Sequence, residues 1–262
     1  MSHFEAEVCS WFDRVITTSD RERRLLMRLS RSVPEQGNGN ASRVEAQDKT
    51  IGAKFAAIPN GVDCEYFRPA TGAGRGCRIV FWGRLGYYAN VDAVEYFVQQ
   101  VLPIVRQRVP DAQFVVVGRD PHKTVRKMAR RGQIELRASV PDIRPFLWEA
   151  AVAVAPMRIA VGVQNKVLEA MASGVPVVCT SSARQSIDAE DGAHLLVGAN
   201  AAEFADHVTR LLVDRELAAH MATAARQRVE SAHSWEAAAA RLEAVYEEAI
   251  RERHARRDLC AD

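Results

Sequence analysis

Lys166 and Glu169 stand three residues apart in Gly162-Val163-Gln164-Asn165-Lys166-Val167-Leu168-Glu169-Ala170-Met171-Ala172-Ser173-Gly174-Val175-Pro176-Val177-Val178. On a helix, that spacing puts a cation and a carboxylate near one face, about a turn apart. Gln164 and Asn165 fall where such a helix begins, and the free N–H groups and dipole of a helix start favour an anion. Gly162 lets backbone approach closely. A phosphate beside Lys166 and a sugar diol beside Glu169 would suit this pair. The competing reading is an ordinary surface ion pair at a helix start.

The elements that must position the pair follow from a regular alternation after residue 77. Strands are expected at Arg78 to Trp82, Ala112 to Val117, Ile134 to Arg137, Ala151 to Ala155, Pro176 to Cys179 and His194 to Val197. Helices are expected at Asn90 to Val109, interrupted at Pro103, and at Pro121 to Arg131, Asp142 to Ala150 and Gln164 to Ala172. Short β-branched strands separated by helices are βαβ units, which build a parallel sheet covered on both faces. Three helices follow, near residues 201 to 213, 215 to 231 and 234 to 253, with Asp214 between the first two.

In open α/β sheets the ligand sits beyond the carboxyl ends of the strands. That rule selects Gly83-Arg84-Leu85-Gly86, Gly118-Arg119-Asp120-Pro121, Ser139-Val140-Pro141-Asp142 and Pro156 to Gln164. Glycines at two strand ends admit a ligand close to the backbone, and the Arg84 guanidinium offers a planar fork of donors to the crevice that Lys166 faces. No G-x-G-x-x-G follows the first strand, which disfavours an NAD-type site.

Composition sets the frame. The chain has 262 residues, 48% hydrophobic and 26% charged, enough for one large or two modest cores. A net charge of +2 gives no support for nucleic-acid binding. Arg21, Arg23, Arg24, Arg28 and Arg31 alternate with Leu25, Leu26, Met27 and Leu29, a basic amphipathic helix that suits either a solvated face or peripheral contact with anionic lipid. Cys9, Cys64, Cys77, Cys179 and Cys260 are odd in number and lack metal-ligand spacing, so a reducing cytoplasm is the expected setting. Before residue 78, Val15 to Thr18 reads as a strand, Asp20 to Ser30 as a helix and Lys54 to Ile58 as a strand. Linkers are expected from Ser32 and over residues 70 to 77.

Two motifs carry a family resemblance. Ile58-Pro59-Asn60-Gly61-Val62-Asp63 with Tyr66-Phe67-Arg68-Pro69, and Leu168-Glu169-Ala170-Met171-Ala172-Ser173-Gly174-Val175-Pro176-Val177-Val178, resemble retaining GT-B glycosyltransferases of the group-1 type, glycosyltransferase family 4. Arg158 to Lys166 resembles a subgroup tied to bacterial exopolysaccharide production. The resemblance implies an α/β chain with one complete Rossmann-like, donor-binding domain. It implies transfer of a sugar from a nucleoside-diphosphate sugar to a saccharide or lipid-linked acceptor with retention, and neither a cofactor nor a metal. Glu169 would take the ribose hydroxyls, and Lys166 and Arg84 the diphosphate. Backbone around Val167 and Leu168, together with Gly83, Gly162 and Asn165, would complete the donor site, and Val140 would face the base.

The chain departs from the family pattern in three ways. Val161 stands where the motif has its first Glu, so either Arg158, Gly162 or Gln164 replaces that contact with the sugar or the donor sugar is unusual; Ala89-Asn90 stands where a Lys commonly follows the Arg. Residues 1–31 resemble only a remnant of the N-terminal acceptor domain, followed by a linker over 32–53, the donor domain over 54–233 and a helix over 234–262 that would cross toward the missing domain. The expectation is a truncated chain or a fragment of a longer protein, with exposed apolar surface at Phe12, Val15, Ile16 and the last helix, cytoplasmic or peripheral at the inner face of the membrane, its activity on its own left open. Two other classes compete. One is a non-catalytic nucleotide-sugar-binding module, which would bind donor without transfer. The other is a GT-B nucleotide-sugar epimerase, which would need acid/base residues such as His122 or His194 in the cleft.

Overall fold

The computed structural model describes residues 3–31, 54–70, 76–160 and 162–258. The first expected linker, residues 71–75 of the second, Val161 and Cys260 lie outside the described residues. The chain divides into two compact units, one of Met1–Asn60 with Trp235–Asp262 and one of Gly61–Ser234.

The first unit contains helix α1 (His3–Ser10), strand β1 (Val15–Thr17), helix α2 (Asp20–Arg31), strand β2 (Phe55–Ala57) and the terminal helix Trp235–Asp258. β1 and β2 pair in parallel, Val15 opposite Phe55 and Thr17 opposite Ala57. The Ser19 hydroxyl oxygen accepts the Glu22 N–H at 3.2 Å, the N-cap bond that starts α2. Arg14 donates to Glu252 of the terminal helix at 2.6 Å. Phe12, Ile16, Trp235, Tyr246 and Ile250 are exposed, while Val15 is half-buried.

The second unit runs through β3 (Arg78–Trp82), α3 (Tyr88–Tyr96), a π-helical turn (Phe97–Val101), α4 (Leu102–Arg108), β4 (Gln113–Gly118), α5 (Lys123–Arg130), β5 (Glu135–Ala138) and α6 (Arg144–Glu149). It continues through β6 (Val152–Ala155), α7 (Asn165–Ala172), β7 (Val177–Cys179), α8 (Ser181–Arg184), β8 (Leu196–Val197), α9 (Ala201–Val213) and α10 (Arg215–Ala232). Its six strands lie in the order β5-β4-β3-β6-β7-β8, every pair parallel. This is the Rossmann-like sheet of the GT-B type.

β6 and β7 are buried along their whole length, and β3 from Ile79 onward. Burial without alternation is what helices on both faces of a parallel sheet produce, and it explains why these strands read as unbroken apolar runs. The edge strand β5 instead carries charge, with Arg137 paired to Glu135 at 2.6 Å, which discourages edge-to-edge pairing.

The break expected at Pro103 takes another form. The chain stays helical from Tyr88 to Arg108 through the π turn, and Pro103 falls in the first turn of α4, where its missing N–H costs nothing. Phe97 opens the π turn in the core, its ring centroid 4.4 Å from that of Phe114 and 6.1 Å from that of Phe204.

Arg226 of α10 ties loop to helix. It donates to the carbonyls of Cys64 and Phe67 at 3.4 Å and to that of Ala172, the last residue of α7, and pairs with Glu230 at 2.6 Å. Losing a charged donor strands partly buried carbonyls, so Arg226→Met should lower unfolding free energy by about 2 kcal/mol, read as a shifted urea midpoint. The unit also closes on itself. The Val62 N–H donates to the His233 carbonyl at 2.8 Å, and Val62 forms a parallel bridge with Ser234.

Candidate functional site

The sheet order places its topological switch between β3 and β6. From β3 the chain winds outward to β4 and β5, then returns to the other side of β3 with β6. The loops leaving these two strands, from Gly83 and from Pro156, therefore flank the position where ligands enter such folds.

Two glycines let the loops meet. Gly83 has φ 151° and Gly118 φ 156°. A Cβ on Gly118 would lie 1.8 Å from the Gly83 carbonyl oxygen, and one on Gly83 would lie 2.9 Å from Asn90 Nδ2 and 3.5 Å from Lys166 Nζ. A side chain at Gly118 would run into backbone, one at Gly83 would displace the Asn90 amide, and both would have to adopt a positive φ.

α7 begins after Gly162 (φ 70°), with Gln164 as its N-cap residue and the exposed Asn165 as its first residue. Val167 and Leu168 are buried and fix the helix to the sheet, and Lys166 and Glu169 beside them are half-buried. The Val167 N–H donates to the Gln164 carbonyl at 2.8 Å, so this amide is already engaged inside the helix start.

Lys166 Nζ donates to Asn90 Oδ1 at 2.7 Å, sits 3.7 Å from Met157 Sδ and lies 4.2 Å above the Phe81 ring centroid. Only one of these partners is an oxygen, and an ammonium has three donors. Burial pushes Lys166 down to about 7, with the Glu169 carboxylate opposing the shift. Glu169 Oε2 accepts the Trp82 indole N–H at 2.6 Å. Burial raises its carboxyl above the ordinary range, against the pull of Trp82 and Lys166. Each member of the pair thus has its own partner on another element, unlike a simple surface ion pair.

Asn90 is 7% exposed and works at both ends of its amide: Nδ2 donates to the Arg84 carbonyl at 2.9 Å while Oδ1 accepts from Lys166. The loop backbone at Arg84 is thereby joined to Lys166, whereas the Arg84 guanidinium lies in an exposed pair with Asp120 at 3.3 Å. Arg158 pairs with Asp92, Nε at 3.0 Å, and stacks 5.2 Å from the Tyr96 ring centroid. Val140 is half-buried against the core, after Ser139, whose N–H donates to the Gly118 carbonyl at 3.0 Å. His122 Nδ1 accepts the Thr124 N–H at 3.3 Å and His194 Nδ1 accepts the Glu190 N–H at 3.0 Å, local bonds that engage the Nδ1 of each ring.

Sequence reasoning did not single out Trp82, and it treated Asn90 only as the occupant of a missing lysine's place. A buried aromatic at a strand end reads as core, and neither partner is close in sequence. A separate pocket of about 560 Å³ lies at the opposite ends of the strands, lined by Ala151, Gly174, Leu211, Leu212, Ala218 and Arg226; none of the expected site residues lines it. Among the described residues no group of three or more His, Cys, Asp or Glu could hold a metal, and no helix is long and apolar enough to cross a membrane.

A parallel sheet with paired glycine loops and a Lys/Glu helix start at its switch point is the Rossmann-like arrangement of the GT-B type. Residues 76–214 match the family described as glycosyl transferases group 1, and the chain belongs to that family. It is 28% identical over 216 residues to a GDP-mannose-dependent alpha-(1-6)-phosphatidylinositol monomannoside mannosyltransferase of Mycobacterium tuberculosis, covering 72% of this chain and 55% of that protein. It is 26% identical to an MMP alpha-(1->4)-mannosyltransferase of Mycolicibacterium hassiacum, covering 85% of this chain and 56% of that one. The chain thus spans about half the length of the curated relatives it matches. Among solved structures, Anabaena HepE in complex with UDP superposes with a TM-score of 0.72 at 13% identity, covering 95% of this chain and 68% of HepE. TarM gives 0.69 at 16%, covering 93% of this chain and 45% of TarM.

Proposed function

We propose that this chain supplies the donor-binding half of a retaining glycosyltransferase that moves a sugar from a nucleoside diphosphate to a saccharide or lipid-linked acceptor in exopolysaccharide or cell-surface glycan synthesis. The observation that carries this reading is the Lys166–Glu169 pair, at the start of α7, beside the side-chain-free backbone of Gly83 at the switch point. In this reading Lys166 and Arg84 hold the diphosphate at the start of α7, ahead of the Val167 amide that Gln164 already engages, Glu169 accepts the ribose hydroxyls, and the Val140 loop faces the base. Gly83 and Gly162 admit the donor close to the backbone, with Asn165 beside them.

Breaking the anomeric C–O bond leaves negative charge on the departing phosphate and positive character on the sugar carbon. A preorganised ammonium and helix N–H groups stabilise that phosphate charge. The acceptor and the rest of the cleft belong to a separate N-terminal domain, toward which the terminal helix would cross. The names of the mycobacterial relatives favour the same class, since one describes a GDP-mannose donor and a lipid-linked mannoside acceptor. Peripheral contact with anionic lipid would serve such an acceptor, and Arg21, Arg24, Leu25 and Arg28 share an exposed face of α2 suited to it.

Calorimetric titration with UDP, GDP and ADP tests the donor site. At least one should bind, and Glu169→Ala should weaken it by about tenfold or more through loss of charge-assisted bonds to the ribose. No heat with any of the three would sink the assignment.

A further inference from the structure

We propose that Trp82 is the positioning residue that aims Glu169 at a ribose diol. The inference rests on the donor-site reading above and adds to it a residue outside the Lys/Glu motif.

Trp82 closes β3, a strand flanked on both sides by others, and is 5% exposed. Its indole N–H reaches across to Glu169 Oε2 at 2.6 Å, from 87 positions away in sequence. An indole nitrogen donates and never accepts. It therefore pairs with an acceptor oxygen, fixes the carboxylate's rotation, and leaves Oε1 to take donors from elsewhere. The group that meets Oε1 must bring O–H or N–H, which a ribose hydroxyl does and a phosphate oxygen does not.

The neighbouring residue completes the arrangement. Phe81 carries Lys166 Nζ at 4.2 Å from its ring centroid. Consecutive residues at the end of one buried strand thus hold the cation and the carboxylate of α7, so their separation is set before a ligand arrives. Such preorganisation spares the ordering of two long side chains on binding. Glu169 would otherwise sample several rotamers around its three side-chain torsions.

A purely structural Trp82 would affect stability but not the reading of hydroxyls. The test compares the full chain with Trp82→Phe, which keeps an aromatic ring and removes the N–H. Calorimetry is run with UDP and GDP, with their 2′,3′-dideoxy counterparts, and with inorganic pyrophosphate. The wild type should prefer the ribonucleotide by about tenfold or more; in Trp82→Phe the preference should fall to about threefold or less, with pyrophosphate affinity changed by less than about twofold. Equal preference in wild type and variant overturns the role of Trp82 alone. Absence of nucleotide binding by the wild type instead overturns the donor reading on which it rests. Should Trp82→Phe fail to fold, the indole N–H resonance of Trp82 in the wild type decides the matter. It should shift on addition of the ribonucleotide and stay put with the dideoxy form, and an equal shift with both overturns the proposal.

Discussion

Replacing Lys166 with Met should remove nucleotide-diphosphate binding, a loss of about 100-fold or more, and at the same time make the unliganded chain more stable at pH 6. The loss follows from taking a partly buried ammonium away from a phosphate, where a charge-assisted bond is worth a few kcal/mol. The gain has the opposite origin. Lys166 is held over Phe81 and beside Met157 with Asn90 as its single oxygen partner among the described residues, and burial disfavours its charged form. An apolar side chain of similar length removes that cost but also takes away the charge that opposes the burial of Glu169, so a net stabilisation of no more than about 1 kcal/mol is expected.

The sign with pH follows from the shift. Folding lowers the Lys166 pKa from 10.5 to about 7. Well below pH 7 the amine is charged in both states and its burial cost is fully present. Between about 7 and 10.5 the unfolded chain holds more protons than the folded one, so the contribution of Lys166 to stability rises with pH. The thermal advantage of Lys166→Met should therefore be greatest at pH 6 and shrink toward pH 10. Binding runs the other way. Above pH 7 the diphosphate must draw a proton onto Lys166, so affinity should fall by up to about tenfold per pH unit. Calorimetry in two buffers of different ionisation heat would register that proton as a buffer-dependent enthalpy at pH 8; an identical enthalpy in both would refute it.

The second large effect concerns stability. Gly118→Ala should cost about 3–5 kcal/mol, because the new Cβ would lie 1.8 Å from the Gly83 carbonyl oxygen at a φ of 156°. Little can yield nearby. Gly83 is bonded through its N–H to the Val117 carbonyl at 3.1 Å, the Gly118 carbonyl accepts from Ser139, and Leu85 is bonded to the Arg119 carbonyl at 2.8 Å. A drop in melting temperature of roughly 10 °C is expected for a unit of this size. A variant that melts within about 2 °C of the wild type would contradict the close approach of these two loops.

The fold was legible where local sequence carries the signal. β3 coincides with the apolar run Arg78 to Trp82, because a strand buried on both faces needs no long-range information to be recognised. The four-residue helix Ser181–Arg184 was not legible. It is too short for periodicity, and its start depends on the Thr180 hydroxyl accepting the Ala183 N–H at 3.3 Å. The turn at Phe97–Val101 was misplaced to Pro103 because proline is an audible breaker and a widened helical turn has no residue signature.

At the site, Lys166 and Glu169 could be found from their spacing, but what each of them touches could not. Asn90 meets Lys166 from 76 positions away, and Asp92 meets Arg158 from 66. Those pairings are made by the sheet order, which brings the end of β3 beside the end of β6. Arg84 is the converse case. Its place at a strand end was read from sequence, while the direction of its side chain, toward Asp120, depends on how two loops fold over each other.

The bond between Val62 and His233 makes the Gly61–Ser234 unit a cassette with adjoining ends. Adjoining ends are the property that lets a domain be inserted into a host chain or permuted circularly, since a short linker then closes it with little loss of loop entropy. Lys166, Glu169, Trp82 and Asn90 all lie inside that span. A lineage could therefore exchange the whole span between proteins, and the paired cation and carboxylate would travel with it as one heritable part.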